Sequence, residues 1–154
     1  MSEKKAKKAA NEIAVNKKAR FLYELSDFIE AGLVLTGPEV KSMRAHKVNF
    51  VDSYVEFRHG EAWLVSLHVA PYVNAGYTPQ DPDRDRKLLL HPAEIKRLSA
   101  AVAQKGITVV PVKLYFARGK VKVEIAQGKG KKLHDQRETL KKRAEERDLQ
   151  RELV

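Results

Sequence analysis

The sequence predicts a mainly β protein, a small closed or nearly closed antiparallel barrel of about six strands with helices at its margins. Three observations predict it. Two stretches alternate apolar and polar residues about glycine-bearing turns, two short helical patterns each open on a proline, and 154 residues suit one hydrophobic core rather than two domains. Closure follows because six short antiparallel strands left open would present bare edges.

Along the chain, FLYEL (21 to 25) and GLVLTG (32 to 37) read as strands. In TGPEVKSMRA, Pro38 suits a first helical position, and Val40 with Met43 would face inward over a short helix. SYVEFRHGEAWLVSLHV holds β-rich runs at 53 to 57 and 62 to 69 about a turn at Arg58 to Glu61 containing Gly60, a hairpin signal. APYVNAGYTPQDPDRDR, residues 70 to 86, is long, polar and rich in Pro and Gly, and reads as a surface loop whose acids pair with its own Arg84 and Arg86. In HPAEIKRLSAAVAQKG, Pro92 opens a helix, Ile95, Leu98 and Val102 recur at spacings of three and four, and Gly106 stands where a C-terminal cap belongs. ITVVPVKLYFARGKVKVEIA is a second hairpin, turning at Ala117 to Lys120, with Val121, Val123 and Ile125 on one face and Lys122 and Glu124 on the other. Pro111 cannot donate to a ladder and marks an edge or a bulge.

Several chemistries find no support. Without cysteine there is neither a disulfide framework nor a thiolate metal site, which fits a reducing cytosol. No apolar run is long enough for a signal-peptide core or a membrane span. His46, His59, His68, His91 and His134 are too scattered for a helical zinc pair. Asp81, Asp83 and Asp85 imitate the start of a calcium loop, but Arg86 stands where it needs Gly and Pro92 where it needs Glu. GKGKK lacks the spacing of a phosphate-binding nucleotide loop, and no Gly-x-Ser-x-Gly elbow occurs. No metal, cofactor or catalytic residue is expected.

The net charge of +10 is concentrated at the ends: +5 lies in residues 1 to 20 and +3 in residues 129 to 154. Flexible cations flanking a nearly balanced middle are the footprint of a polyanion binder, because they neutralise phosphates and release condensed counterions. The tail GKGKKLHDQRETLKKR and beyond offers no single apolar face, since Leu133, Leu140 and Ala144 fall opposite Leu149 and Leu153. Opposite-charge pairs such as Glu138 with Lys142 are offset by like-charge pairs such as Arg143 with Arg147. The expectation is a tail disordered alone and helical against a polyanion.

The blocks NKKARFLYEL, EAGLVLTGPEVKSMRAHKVNFVDSYV, RKLLLHPAEIKRL, GITVVPVKLYF and GKGKKLHDQRETLKKR, in order and in register over about residues 12 to 145, closely resemble the SmpB family, small protein partners of transfer-messenger RNA (tmRNA, or SsrA RNA). The resemblance implies an oligonucleotide-binding-fold-like barrel that binds the tRNA-like domain of tmRNA and enters stalled bacterial ribosomes with it. It also implies a C-terminal tail that lies as a helix in the empty messenger channel, against small-subunit ribosomal RNA beyond the decoding centre. Tagging of the nascent peptide for degradation and release of the ribosome would follow, carried out in the cytoplasm by a monomer without membrane or cofactor. The implied organisation is a flexible basic segment at 1–11, a barrel at 12–128 and the tail at 129–154.

Carried over residue by residue, the resemblance places Lys18, Arg20, Phe21, Glu30, Leu89 and His91 on the tmRNA-binding face. Phe21 stands where some members have His, and either ring can stack on a base; a barrel-interior aromatic is the alternative. Leu89 has the alternative of a core strand residue. In the tail, Lys129, Lys131, Lys132, His134, Asp135, Arg137, Lys141, Lys142 and Arg143 would touch the ribosome, His134 by stacking and the cations through phosphates. Gln136 departs from the family's commoner Lys. Two rival readings stand beside this one: a generic single-strand RNA-binding barrel, and an RNA-processing enzyme using the carboxylates at 81 to 85.

Overall fold

A computed structural model describes residues 11–73, 76, 80–104, 106–130 and 140–147. Among these residues the order is β1 (Glu12–Val15), α1 (Lys17–Leu22), β2 (Tyr23–Leu33), α2 (Gly37–Arg44), β3 (Val48–Asn49), β4 (Tyr54–Arg58), β5 (Glu61–Val65), β6 (His68–Val69), β7 (Arg86–Leu89), α3 (Pro92–Val102), β8 (Ile107–Ala117) and β9 (Lys120–Gly130). Residues 140–147 are helical as well.

Six of the strands pair in the order β8-β4-β5-β7-β2-β9, and β9 returns to β8, so the antiparallel ring closes. Two hairpins supply its long sides. β4 and β5 turn through His59 and Gly60, and β8 and β9 through Arg118 and Gly119, with all four residues at positive φ. Two left-handed residues in succession match the right-handed twist of paired strands, so these two-residue turns fix the register. The register of β8 on β9 shifts between Pro111 and Lys113, the bulge that a proline without an N–H demands. Past that bulge β8 leaves β4, which it meets at Val55 and Val109, and its freed edge is taken by β1.

The alternation read from the second hairpin holds. Val121, Val123 and Ile125 are buried with Leu64, Leu88, Leu98, Val109 and Leu114 in one core. β2 keeps its inward set through a bulge between Ser26 and Ile29, where Asp27 adopts φ 53°. The slip of one residue turns Ile29, Ala31 and Leu33 inward and leaves Phe28 and Glu30 exposed. Arg97 and Gln127 donate to the Asp27 carboxylate at 3.0–3.1 Å, tying α3 and β9 to the bulge.

Several expectations differ from the structure, the first being the run at 62 to 69, which breaks at Ser66, φ 67°, into β5 and a β6 that pairs with β3 in a separate sheet. Residues 21 and 22 of FLYEL end helix α1, and residues 23 to 33 form one strand, where two shorter ones were expected. Asn16 decides this: its side-chain oxygen accepts the Ala19 N–H at 3.1 Å, its amide donates to the Pro111 carbonyl at 2.8 Å, and a six-residue helix is too short to show a period. Gly106 does not cap α3, which ends at Ala103 with its N–H on the Ser99 and Ala101 carbonyls; at φ 85° it turns the chain into β8 instead. Lys129, expected to begin the tail, lies in β9 opposite Glu24, so the barrel extends through Gly130. The arginines of the long loop also find a different partner.

That partner is Glu39. The Arg86 side chain is completely buried, with Nε donating to Glu39 Oε2 at 2.6 Å and its remaining nitrogens to the carbonyls of Leu67, Pro82 and Arg84. Arg84 donates to the same carboxylate, and Glu39 Oε1 also accepts the Thr36 N–H at 2.9 Å as one half of a capping box at the start of α2. Burial pushes the Glu39 pKa up, but the two guanidiniums and the Thr36 N–H outweigh it and hold the carboxyl below its usual 4.5. Burial lowers the pKa of Arg86, and Glu39 opposes that shift. The loop acids look elsewhere: Asp85 accepts from Arg58 at 2.9 Å, and Asp83 meets His68 at 2.8 Å.

Candidate nucleic-acid interface

β2 and β7 pair at Gly32 with Leu89, and a Cβ on Gly32 would come within 3.2 Å of the Leu89 side chain. Glycine at this position therefore lets Leu89 lie across the β2 backbone, outside the barrel and 57% exposed. The core-residue alternative for Leu89 is thereby removed. Beyond it, His91 is exposed at the start of α3, its N–H held by Glu94 Oε1 at 3.0 Å. Glu30, Leu89 and His91 converge on one groove of about 510 Å³, shared with Lys87 and Lys122. Three residues from distant parts of the sequence thus meet on one surface.

Glu30 also borders a neighbouring cleft with Arg118, Lys120 and Lys122. The Tyr115 hydroxyl donates to Glu30 Oε2, which fixes the carboxylate, and burial with the nearby Glu30 charge pushes the phenol pKa well up. The arrangement is an acceptor surrounded by cations with an exposed aliphatic side chain beside it. Such a surface can hold phosphates by charge and meet a base edge at one carboxylate. The cations of β9 and its turn, together with exposed Phe28 two residues from Glu30, were missed in the sequence. The second hairpin's alternation had already placed Lys122 outward and could have found it.

Lys18, Arg20 and Phe21 are not in that groove. They ride on α1, at the other end of β2, about 25–30 Å of strand away. Lys18 Nζ meets Asp52 at 2.6 Å, with both side chains exposed. Phe21 is half-buried on α1, and the guanidinium of Arg143 from the 140–147 helix stands 5.6 Å over its ring. Every residue of that helix is exposed, Lys141, Lys142 and Arg143 included, and among the described residues its ring contact is that of Arg143 with Phe21. Lys131, Lys132, His134, Asp135 and Arg137 lie outside the described residues. Among the described residues no group of three or more His, Cys, Asp or Glu converges as a metal site, and no helix is long and apolar enough to cross a membrane.

A closed antiparallel ring with flanking helices and a cation-rimmed groove defines the class: a small oligonucleotide-binding-fold-like barrel with a nucleic-acid type of surface. The chain belongs to the SmpB family, whose sequence model, described as SmpB protein, matches residues 13–154. It is 72% identical over 145 residues, 94% of both chains, to the SsrA-binding protein of Nitratidesulfovibrio vulgaris (strain DP4). It is 60% identical over its full length to the SsrA-binding protein of Oleidesulfovibrio alaskensis, of which 99% is covered. A solved structure described as "tmRNA-SmpB: a journey to the center of the bacterial ribosome" contains a chain 47% identical to it, with a TM-score of 0.68, covering 79% of this chain and 86% of that one.

Proposed function

We propose that this protein binds the tRNA-like domain of transfer-messenger RNA and accompanies it to stalled ribosomes in the bacterial cytosol, allowing rescue and tagging of the unfinished peptide. The observation that carries this is the 72% identity, over 94% of both chains, to a protein named for binding SsrA. The groove of Glu30, Leu89 and His91 is the RNA-binding face, with Lys122 and its neighbours on phosphates. Phe21, Lys18 and Arg20 form a second contact at the α1 end. The segment beyond Gly130, with Lys131, Lys132, His134, Asp135, Arg137, Lys141, Lys142 and Arg143, is the ribosome-directed tail, and Lys141, Lys142 and Arg143, exposed on the 140–147 helix, suit a phosphate-lined channel. No chemical reaction is assigned to the chain.

The test is to pull the full-length protein from cell extract and sequence the RNA that accompanies it. Transfer-messenger RNA should dominate; a broad mixture of unstructured RNAs that compete equally for the groove would favour the generic single-strand reading. A chain ending at Gly130, which keeps every β9 pairing, should still bind transfer-messenger RNA and fail to support tagging. Full tagging by that chain would refute the division between barrel and tail.

A further inference from the structure

On the outer face of the ring, a hollow of about 150 Å³ is lined by Glu30 of β2, Lys113 and Tyr115 of β8, and Glu124 of β9. The strand register explains how they meet. β2 on β9 sets Glu30 directly opposite Glu124, and β8 on β9 sets Lys113 opposite the same Glu124. Two carboxylates facing each other across an antiparallel pair repel, which weakens a sheet unless something offsets it. Folding alone gives no reason for a second glutamate at this place.

Each carboxylate is answered from β8. Lys113 Nζ stands 3.9 Å from Glu124 Oε2, and the two side chains are only 15% and 22% exposed. The Tyr115 hydroxyl donates to Glu30 Oε2. The same ammonium lies 5.7 Å from the centre of the Tyr115 ring, so one lysine bears on both the facing carboxylate and the phenol. Burial and the Glu30 charge raise the phenol pKa, so the hydroxyl keeps its proton and remains a donor at neutral pH. An exposed glutamate otherwise samples many rotamers, and ordering it on binding subtracts from affinity.

We propose that Lys113 and Tyr115 are positioning residues for Glu30. Tyr115 fixes its carboxylate by a hydrogen bond, and Lys113 neutralises Glu124 so that the facing charge does not push Glu30 aside. Glu30 then meets a donor on an RNA base edge already ordered. Neither positioning residue has to touch RNA. The inference rests on the RNA-binding reading of the groove and extends it to the outer face of β8 and β9. It separates Lys113 from Lys87 and Lys122 in the groove and from Arg118 and Lys120 in the next cleft, cations placed to meet phosphates themselves.

Full-length variants are titrated with the tRNA-like fragment of transfer-messenger RNA at several salt concentrations, with Tm recorded for each. Tyr115→Phe should raise Kd about fivefold in the wild-type background and leave it unchanged in a Glu30→Gln background, the signature of a residue acting through another. Lys113→Gln should raise Kd about threefold without changing the slope of log K against log salt, and adding Glu124→Gln should restore wild-type affinity. Three results overturn the proposal: wild-type affinity of Tyr115→Phe or Lys113→Gln, an equal loss for Tyr115→Phe in both backgrounds, or a Lys113→Gln defect that Glu124→Gln does not repair. A slope reduced by about 0.7–0.9 in Lys113→Gln also overturns it, since Lys113 would then be a phosphate ligand. Should Glu30→Gln itself bind like wild type, the reading of Glu30 as an RNA contact falls, an outcome seen before any positioning variant is made.

Discussion

Glu39 shows how much one side chain can decide. It caps α2, neutralises the fully buried Arg86 and holds Arg84 from the long loop. Removing one partner of a buried pair leaves an uncompensated charge, so Glu39→Gln should cost about 3–5 kcal/mol in denaturant unfolding. The pH dependence has a definite sign. Because the folded carboxyl lies below its usual 4.5, its contribution is complete above that pH and is lost as pH falls through the lowered value. Wild type should therefore lose stability on acidification below about pH 4.5 more steeply than Glu39→Gln, measured by thermal melts across that range. Pro38 alone marked the start of α2 in the sequence reading, which missed the Thr36–Glu39 capping box, and the arginine partners, 45 and 47 residues away, had no local signal at all. Gly32 is a second deciding residue. Gly32→Ala must displace Leu89 by a few tenths of an ångström, and RNA affinity should fall several-fold with only a small change in Tm, read by titration beside calorimetry.

At the level of elements, legibility followed length and local chemistry. Both hairpins could be read because alternation and a glycine in the turn are local signals, and α3 because three apolar residues recur at helical spacing. α1, β1 and β7 could not. Each has four to six residues, and each is defined by a neighbour far along the chain: β1 by β8, β7 by β2 and β5, α1 by the amide that Asn16 places on Pro111. The convergence of Glu30, Leu89 and His91 could be expected from family resemblance alone, since their meeting depends on the β2–β7 pairing. Asn16 offers a direct check. Asn16→Ala removes both a helix cap and a tie between α1 and the β8 bulge, and should cost about 2 kcal/mol by chemical denaturation.

For the whole molecule, charge and shape make separable contributions to binding. Lys122→Ala should reduce the slope of log K against log salt by about 0.7–0.9, the share of one phosphate contact. Leu89→Ala should weaken binding and leave that slope unchanged, because no counterion is released by an apolar contact; titrations at several salt concentrations read both. The terminal charge excess announced a polyanion partner from the sequence, but the positions of the groove and of α1 at opposite ends of β2 needed the fold. Ring closure carries a further consequence. Every strand of the ring has a neighbour on both sides, but β2 meets β7 only at Gly32 and Leu33 and β4 meets β8 only at Val55 and Val109, so the rest of those edges, with β1, β3 and β6, is what remains among the described strands for another chain to template upon. Cross-β growth on the native barrel is thereby confined to a few short stretches, and concentrated, RNA-free protein should remain fibril-free for as long as the ring stays shut.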